Sequence, residues 1–366
     1  MREFRMKKIL HITVFVVLLA LLSGWYLLDG RPAVMGVFRS GWYGTRLELD
    51  TTFEYIAEKY NGGVAVFGKE GITGITNSGR VGWKIPFPVS DPILSCNGRY
   101  VLAAERGGRR LVLSTGGKVR QDLEMDAKII SATVNSKGVF AVVTEERGYK
   151  GRVKVMNAKG KELFTWHSAE QNILSVSLAE DSKQMAVSVV NMTDLSRLCT
   201  VMQFNLNETS PRVLSVGDEN LVANLVYNGK DLLAIGDEAL YYFNRSGTEK
   251  FRVEYAGRQL QKYSFYSGGV LCTVFNNGEG GTQAVEFYDM NGKKKGSAAL
   301  NDEITNLDTF GKYAVVSGRN GLTVISHSGR IKARCYDGVG VEKVFLCGSR
   351  NRIFLLGNLE AGMYIF

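Results

Sequence analysis

The stretch VKVMNAKGKELFTW, Val153 to Trp166, carries the pattern from which the fold can be read. An alternating run (VKVM) meets a short turn of small and basic residues (NAKGK) and resumes as a second run (ELFTW). That is the signature of two antiparallel strands joined by a hairpin. The turn chemistry then recurs along the chain, as NSGR at Asn77 to Arg80, TGGK at Thr115 to Lys118, AKGK at Ala158 to Lys161, RSGT at Arg245 to Thr248, MNGK at Met290 to Lys293 and HSGR at His327 to Arg330. A β-rich unit of this size cannot bury its own apolar faces and must stack on its neighbours, so the chain is a repeat architecture.

With four strands per unit, eight units are expected near residues 53–87, 92–124, 127–166, 172–216, 219–255, 259–299, 303–336 and 341–366. The fold class is an all-β, eight-bladed β-propeller. Seven blades is the alternative, because the boundary around Thr51 to Asn61 is the least sharply marked. In each unit the first two strands are richest in Val, Ile, Leu and Ala, as in Ile173 to Val190, and are expected nearest the central axis. The turn glycine supplies the positive φ of the hairpin. The last unit has three evident strands, ending in MYIF. The alternating segment TRLELD before the first unit, with Arg46, Leu47, Glu48 and Leu49, is expected to add the fourth strand beside Met363 to Phe366. Such pairing closes the ring and removes its exposed edges.

Ile9 to Leu28 is an apolar run of twenty residues without a charge. Val14, Phe15, Leu18 and Leu22 build its body, and Trp25 and Tyr26 stand near its end. At ~1.5 Å per residue such a helix crosses a ~30 Å hydrocarbon layer. Arg2, Arg5, Lys7 and Lys8 precede it, which places the N-terminus in the cytoplasm and the rest outside. A cleaved signal peptide shares the basic start and apolar core, but this run is longer than a usual h-region and no small-x-small site follows. The expected order is a cytoplasmic tail (1–8), a transmembrane anchor (9–28) that partners the lipid bilayer, a spacer (29–44) and an extracellular propeller (45–366).

The net charge of +9 includes +3 from residues 1–31, so the propeller carries +6. That is mild, and fits either solvated surface charge or an anionic envelope. Five cysteines lie scattered without metal-ligand spacing, and four sit in apolar runs, as buried thiols do. An odd count rules out a complete disulfide framework, leaving Cys335 with Cys347 as a pair to test.

The repeat resembles the broad group of propellers that includes WD40-like and quinoprotein-like domains. NSGRVGW, Asn77 to Trp83, is similar to a quinoprotein-type blade motif, in which Trp follows the turn Gly by four residues. The equivalent places hold Gln121, Phe251, Gly296 and Ala333, and Trp166 comes two residues late. A closer resemblance, over most of the chain, is to an uncharacterised family of membrane-anchored propellers from Gram-positive bacteria. It rests on the anchor, on ILSVSLAEDSKQMAVSVVN (Ile173 to Asn191) and on NNGEGGTQAVEFYDMNGKK (Asn276 to Lys294). Glu180-Asp181-Ser182 stands where that family tends to show Pro-Asp-Gly. The resemblance implies architecture and address, and brings no activity.

Residue types that would carry chemistry do not converge. His11, His167 and His327 fall in the anchor, after an outer strand and before a turn glycine. No metal or cofactor is expected. A quinoprotein dehydrogenase would imply calcium and commonly adjacent cysteines, and no two cysteines are adjacent. NNGEGG at Asn276 to Gly281 lacks the Lys-Ser/Thr of a phosphate loop. Asp289-Met-Asn291-Gly292 lacks the distal Glu of a calcium loop. The basic clusters Arg106 to Arg110, Arg147/Lys150/Arg152 and Lys293 to Lys295 fall at hairpins on different blades. The expected function is therefore a non-catalytic binding or scaffold module for a protein or an anionic cell-envelope polymer, not for nucleic acid. The alternative is an enzyme or cofactor binder using the central channel, which requires polar residues facing the axis.

Overall fold

The structure is a computed structural model that describes residues 41–192, 199–208, 210–266, 269–276, 281–335, 340–348 and 352–365. The anchor residues Ile9 to Tyr26 and most of the NNGEGG loop lie outside the described residues. Among the described residues no helix is long and apolar enough to cross a membrane.

Residues 42–365 form one unit of eight four-stranded antiparallel sheets. Blades 1 to 7 span 56–86, 92–124, 129–168, 172–214, 224–254, 259–300 and 304–335, each in consecutive strand order from the axis outward. Blade 8 takes three strands from 341–365 and its outermost strand, Gly41–Glu48, from the start of the unit. Arg46 pairs with Glu360 at 3.0 Å, the Leu49 N–H donates to the Leu359 carbonyl at 2.8 Å, and Trp42 packs edge-on against Tyr364. The register differs from the expected one. Arg46 to Leu49 lie beside Leu359 to Gly362, and the strand begins four residues earlier, so that Trp42 faces the Met363 end.

The core is a set of apolar layers between sheets rather than one central mass. Tyr60, Phe67 and Phe87 of blade 1 pack with Leu94, Val101 and Val112 of blade 2, and Val64 and Ile75 pack with Phe354 and Met363 of blade 8. Second strands are the most deeply buried, and Gly63–Gly68 and Gln184–Val190 are buried throughout. The innermost strands are different from expectation. Asn172–Leu178 and Gln259–Tyr266 are only partly buried, because one strand edge of each borders the channel and no further strand covers it.

The recurring turns join third to fourth strands, and five of them share one geometry. The residue before the turn (Thr76, Asn157, Asn244, Asp289 or Ser326) accepts from the glycine N–H three residues on and donates to the carbonyl four residues on. The strand register shifts beside each, as a three-residue turn with a left-handed residue and a bulge demands. TGGK is a tighter two-residue turn with Gly116 and Gly117 at φ +57° and +76°.

These glycines seat each blade on the one before it. A Cβ on Gly117 would lie 2.4 Å from Trp83, on Gly160 3.0 Å from Gln121, on Gly292 2.7 Å from Phe251, and on Gly329 2.1 Å from the Ser297 carbonyl beside Gly296. The tryptophan of the quinoprotein-like motif is thus a blade-to-blade packing residue. Gly79 makes the same contact at the seam, where a Cβ would meet the Tyr43 carbonyl at 2.6 Å. All five cysteines are free: Cys335 ends the outer strand of blade 7 beside the Tyr364 hydroxyl at 3.1 Å, while Cys347 follows the inner strand of blade 8. They are not bonded, because they stand at opposite radial ends of neighbouring sheets.

Gly148 has φ +83° and open space where a Cβ would sit, whereas Gly79 has φ +72° and the seam contact. Gly148→Ala is expected to cost about 1–2 kcal/mol from the left-handed backbone alone, and Gly79→Ala about 3 kcal/mol or more. Chemical denaturation of the two variants measures the difference, and equal costs would refute a tight seam.

Candidate functional site

An innermost strand leaves one row of backbone N–H and C=O groups without a strand partner, and buried groups of that kind must be satisfied. Side chains of the preceding blade do this around the axis. Glu58 of blade 1 accepts from Cys96 N at 2.7 Å, Ser95 from Val134 N at 3.2 Å, and Ser177 from Tyr227 N at 3.1 Å. Ser264 accepts from Thr309 N at 3.0 Å, and Asp308 of blade 7 from Leu346 N at 2.7 Å. Bulges at Ile173/Ser175, Leu260/Lys262, Ile304/Asn306 and Val341/Lys343 change which side chains these strands present to the axis.

Among the described residues two contacts reach beyond adjacent blades, which is possible only near the axis. The Lys59 ammonium of blade 1 pairs with Asp308 at 2.6 Å and donates to the Thr309 carbonyl at 3.1 Å, passing blade 8. Glu180, in the turn after the inner strand of blade 4, accepts from Asn97 Nδ2 of blade 2 at 2.7 Å and from Ser136 N of blade 3 at 2.9 Å. Its own N–H donates to the Gly229 carbonyl of blade 5 at 2.9 Å. Ser182 takes the left-handed conformation, φ +64°, that glycine fills in a Pro-Asp-Gly turn, and Asn135 Nδ2 donates to its hydroxyl at 2.9 Å. Glu180 thus serves as a bridge across four blades.

Burial dominates the electrostatics here. It lifts the Glu58 carboxyl to about 7, against the opposing pull of the Cys96 N–H and of Lys343. Glu58 is itself half-buried, crowded by the neighbouring blades. Burial also raises Asp308, with Lys59 and the Leu346 N–H offsetting part of the effect, and pushes the Cys347 thiol up to about 12. Cys347 is therefore an inert, protonated thiol. Beside it a hollow of about 290 Å³ opens between Lys59, Asn61, Phe310 and Leu346. Sequence reasoning missed these axial charges because it averaged the first and second strands. The available signal was the charged pairs inside first strands, Glu58-Lys59 and Glu342-Lys343.

The remaining candidates separate in space. His167 packs at a tilt against Tyr149 in blade 3, whereas His327 lies in blade 7 against Phe287. Among the described residues no group of three His, Cys, Asp or Glu is placed to hold a metal ion. Arg106 pairs with Asp91, Arg110 with Asp122, and Arg152 with Glu146 and Asp126. Lys294 pairs with Glu286, which Arg258 and the Tyr288 hydroxyl also contact.

Charge is divided between the two rims. Alternating hairpins put the turns between first and second and between third and fourth strands on one rim, and all other connections on the opposite rim. Among the described residues the first rim's connections hold eleven Lys or Arg against three Asp or Glu, and the second rim's hold eight against fourteen. The rims therefore differ in sign, net +8 and −6. The runs of basic residues did not foretell this. Single cations did, placed directly after the turn glycine at Arg80, Lys161, Lys293 and Arg330.

The chain belongs to a family of unknown function (DUF5711), whose match covers residues 43–360. No curated protein matches the sequence significantly. Among solved structures it is similar to BamB from Moraxella catarrhalis, with 15% identity, a TM-score of 0.58 and coverage of 88% of this chain and 97% of that one. It is also similar to Sqt1 from Saccharomyces cerevisiae, with 12% identity, a TM-score of 0.63 and coverage of 89% and 100%. At these identities the likeness is one of fold.

Glu58 generates a pH test. An unfolded glutamate loses its proton near 4.5, while folded Glu58 holds it to about 7. The associated stability is present below the lower value and is lost as pH rises through the higher one, up to ~3 kcal/mol. Glu58→Gln keeps an acceptor for Cys96 N and removes the charge. It is expected to flatten this slope, matching wild type at about pH 4 and exceeding its stability at about pH 8. Thermal unfolding across that range reads the outcome, and parallel profiles would refute the assignment.

Proposed function

We propose that this chain is a membrane-anchored propeller standing outside the cell membrane, which holds a protein or cell-envelope partner without chemical turnover. The observation that carries the reading is that three axial carboxylates are tied to other blades. Glu58, Asp308 and Glu180 each accept from a neighbouring blade, so they hold the ring together. Recognition then falls to the loops, which the rigid blades fix in place. The acidic rim suits it best, with the nine-residue connection 215–223 and the exposed apolar side chains Tyr149, Met192 and Leu359. The apolar run Ile9 to Leu28 supports the anchor.

A second reading, a small-molecule binder or enzyme using the channel, draws on Lys59, Glu58 and the hollow beside them. The two readings separate in one experiment. Full-length protein is cross-linked in native membranes and purified beside Met192→Glu and Leu359→Glu. A partner retained by wild type, and reduced at least severalfold in a variant that unfolds at an unchanged temperature, is the expected result. Substrate conversion by the purified chain that Lys59→Met abolishes would overturn the scaffold reading in favour of the channel.

A further inference from the structure

We infer that the basic rim is a docking face for the anionic headgroup surface of a lipid bilayer, so that the acidic rim points away from the membrane. The inference rests on the anchor reading above and goes beyond it, since an anchor alone leaves the orientation of the ring open.

Two independent observations carry it. The first is the sign of the charge. The basic rim's net +8 comes from single lysines and arginines spread over the turns, among them Arg80, Lys137, Lys159, Lys230, Lys312 and Arg330, all exposed. A ring of separated cations on one flat face meets a diffuse negative surface better than it meets a single anion, which needs converging donors. Exposed basic residues near such a surface each add attraction that decays over a Debye length of about 8 Å.

The second observation is where the chain enters. The strand Gly41–Glu48 runs antiparallel to Glu360–Ile365, so its first residues lie at the basic rim and Leu49 reaches the acidic one. Thr45 N donates to the carbonyl of Gly79, which belongs to a basic-rim turn, at 2.6 Å. Only twelve residues, 29–40, separate the apolar run from this point. Twelve residues can span at most about 40 Å. The basic rim is therefore the one held close to the bilayer, while a ring turned over would oppose its acidic rim to the headgroups. The opening residues Trp42 and Tyr43, the latter 39% exposed, are of the types that settle at a membrane interface.

The test uses the full chain in nanodiscs of neutral phosphatidylcholine, or with phosphatidylglycerol added, and reads lysine acylation by mass spectrometry. On anionic lipid, Lys137, Lys159, Lys230 and Lys312 are expected to react severalfold more slowly than on neutral lipid, with recovery in high salt. Lys69, Lys128 and Lys150 of the acidic rim are expected to be unchanged. The triple variant Lys159→Glu, Lys230→Glu, Lys312→Glu should abolish the protection of Lys137. Equal protection on both rims, protection of the acidic rim, or protection by soluble polyphosphate but not by anionic lipid would each overturn the inference. Flotation on neutral vesicles reads the anchor separately. A chain that fails to float there still reports its rim in the footprint with anionic vesicles, so the two failures are told apart.

Discussion

Apolar layers between sheets, rather than a central core, are the constraint on which this structure depends. Each blade is greasy on both faces and becomes soluble only between two others. The stack must therefore return on itself, and the seam between last and first blades is the place where that could fail. The strand Gly41–Glu48 solves it by completing blade 8 with residues from the other end of the unit, so that ring closure becomes a matter of strand pairing. Leu47 and Leu49 then pack into the same apolar layer as Val64 and Phe354, and the seam is built like every other interface.

The tie between neighbours also explains why the sequence motif is so uneven. One side of each contact must be a glycine, because the turn needs a left-handed residue and leaves no room for a Cβ. The other side needs only some atom at that position. Trp83, Gln121, Phe251 and Gly296 all serve, with the backbone itself closing the gap where the side chain is smallest. A motif defined by its tryptophan fades along the chain, while one defined by its glycine persists.

Polar groups near the axis follow from the same geometry. The inner strand edges face one another across a narrow channel, and acceptors from the preceding blade satisfy their N–H groups. Buried acids in such a place resemble a catalytic site in type and in raised proton affinity. Their partners are backbone donors, the Ser264 hydroxyl and a lysine from within the ring, and these contacts tie one blade to another. The two rims, by contrast, carry opposite net charge.

Periodicity and turn residues were enough to read the strands and the need for a closing segment, because hairpin geometry is local and writes itself into spacing, whereas the choice of eight units over seven was made by the sheets themselves. Blade 4, for instance, was legible as two apolar runs around a polar turn. The bridging role of Glu180, the Lys59–Asp308 pair and the opposite sign of the rims were decided only by the tertiary structure. Each depends on which ends of distant strands come together, and a closed ring brings into contact residues such as Lys59 and Asp308 that lie far apart in the chain. Local spacing carries no record of that encounter.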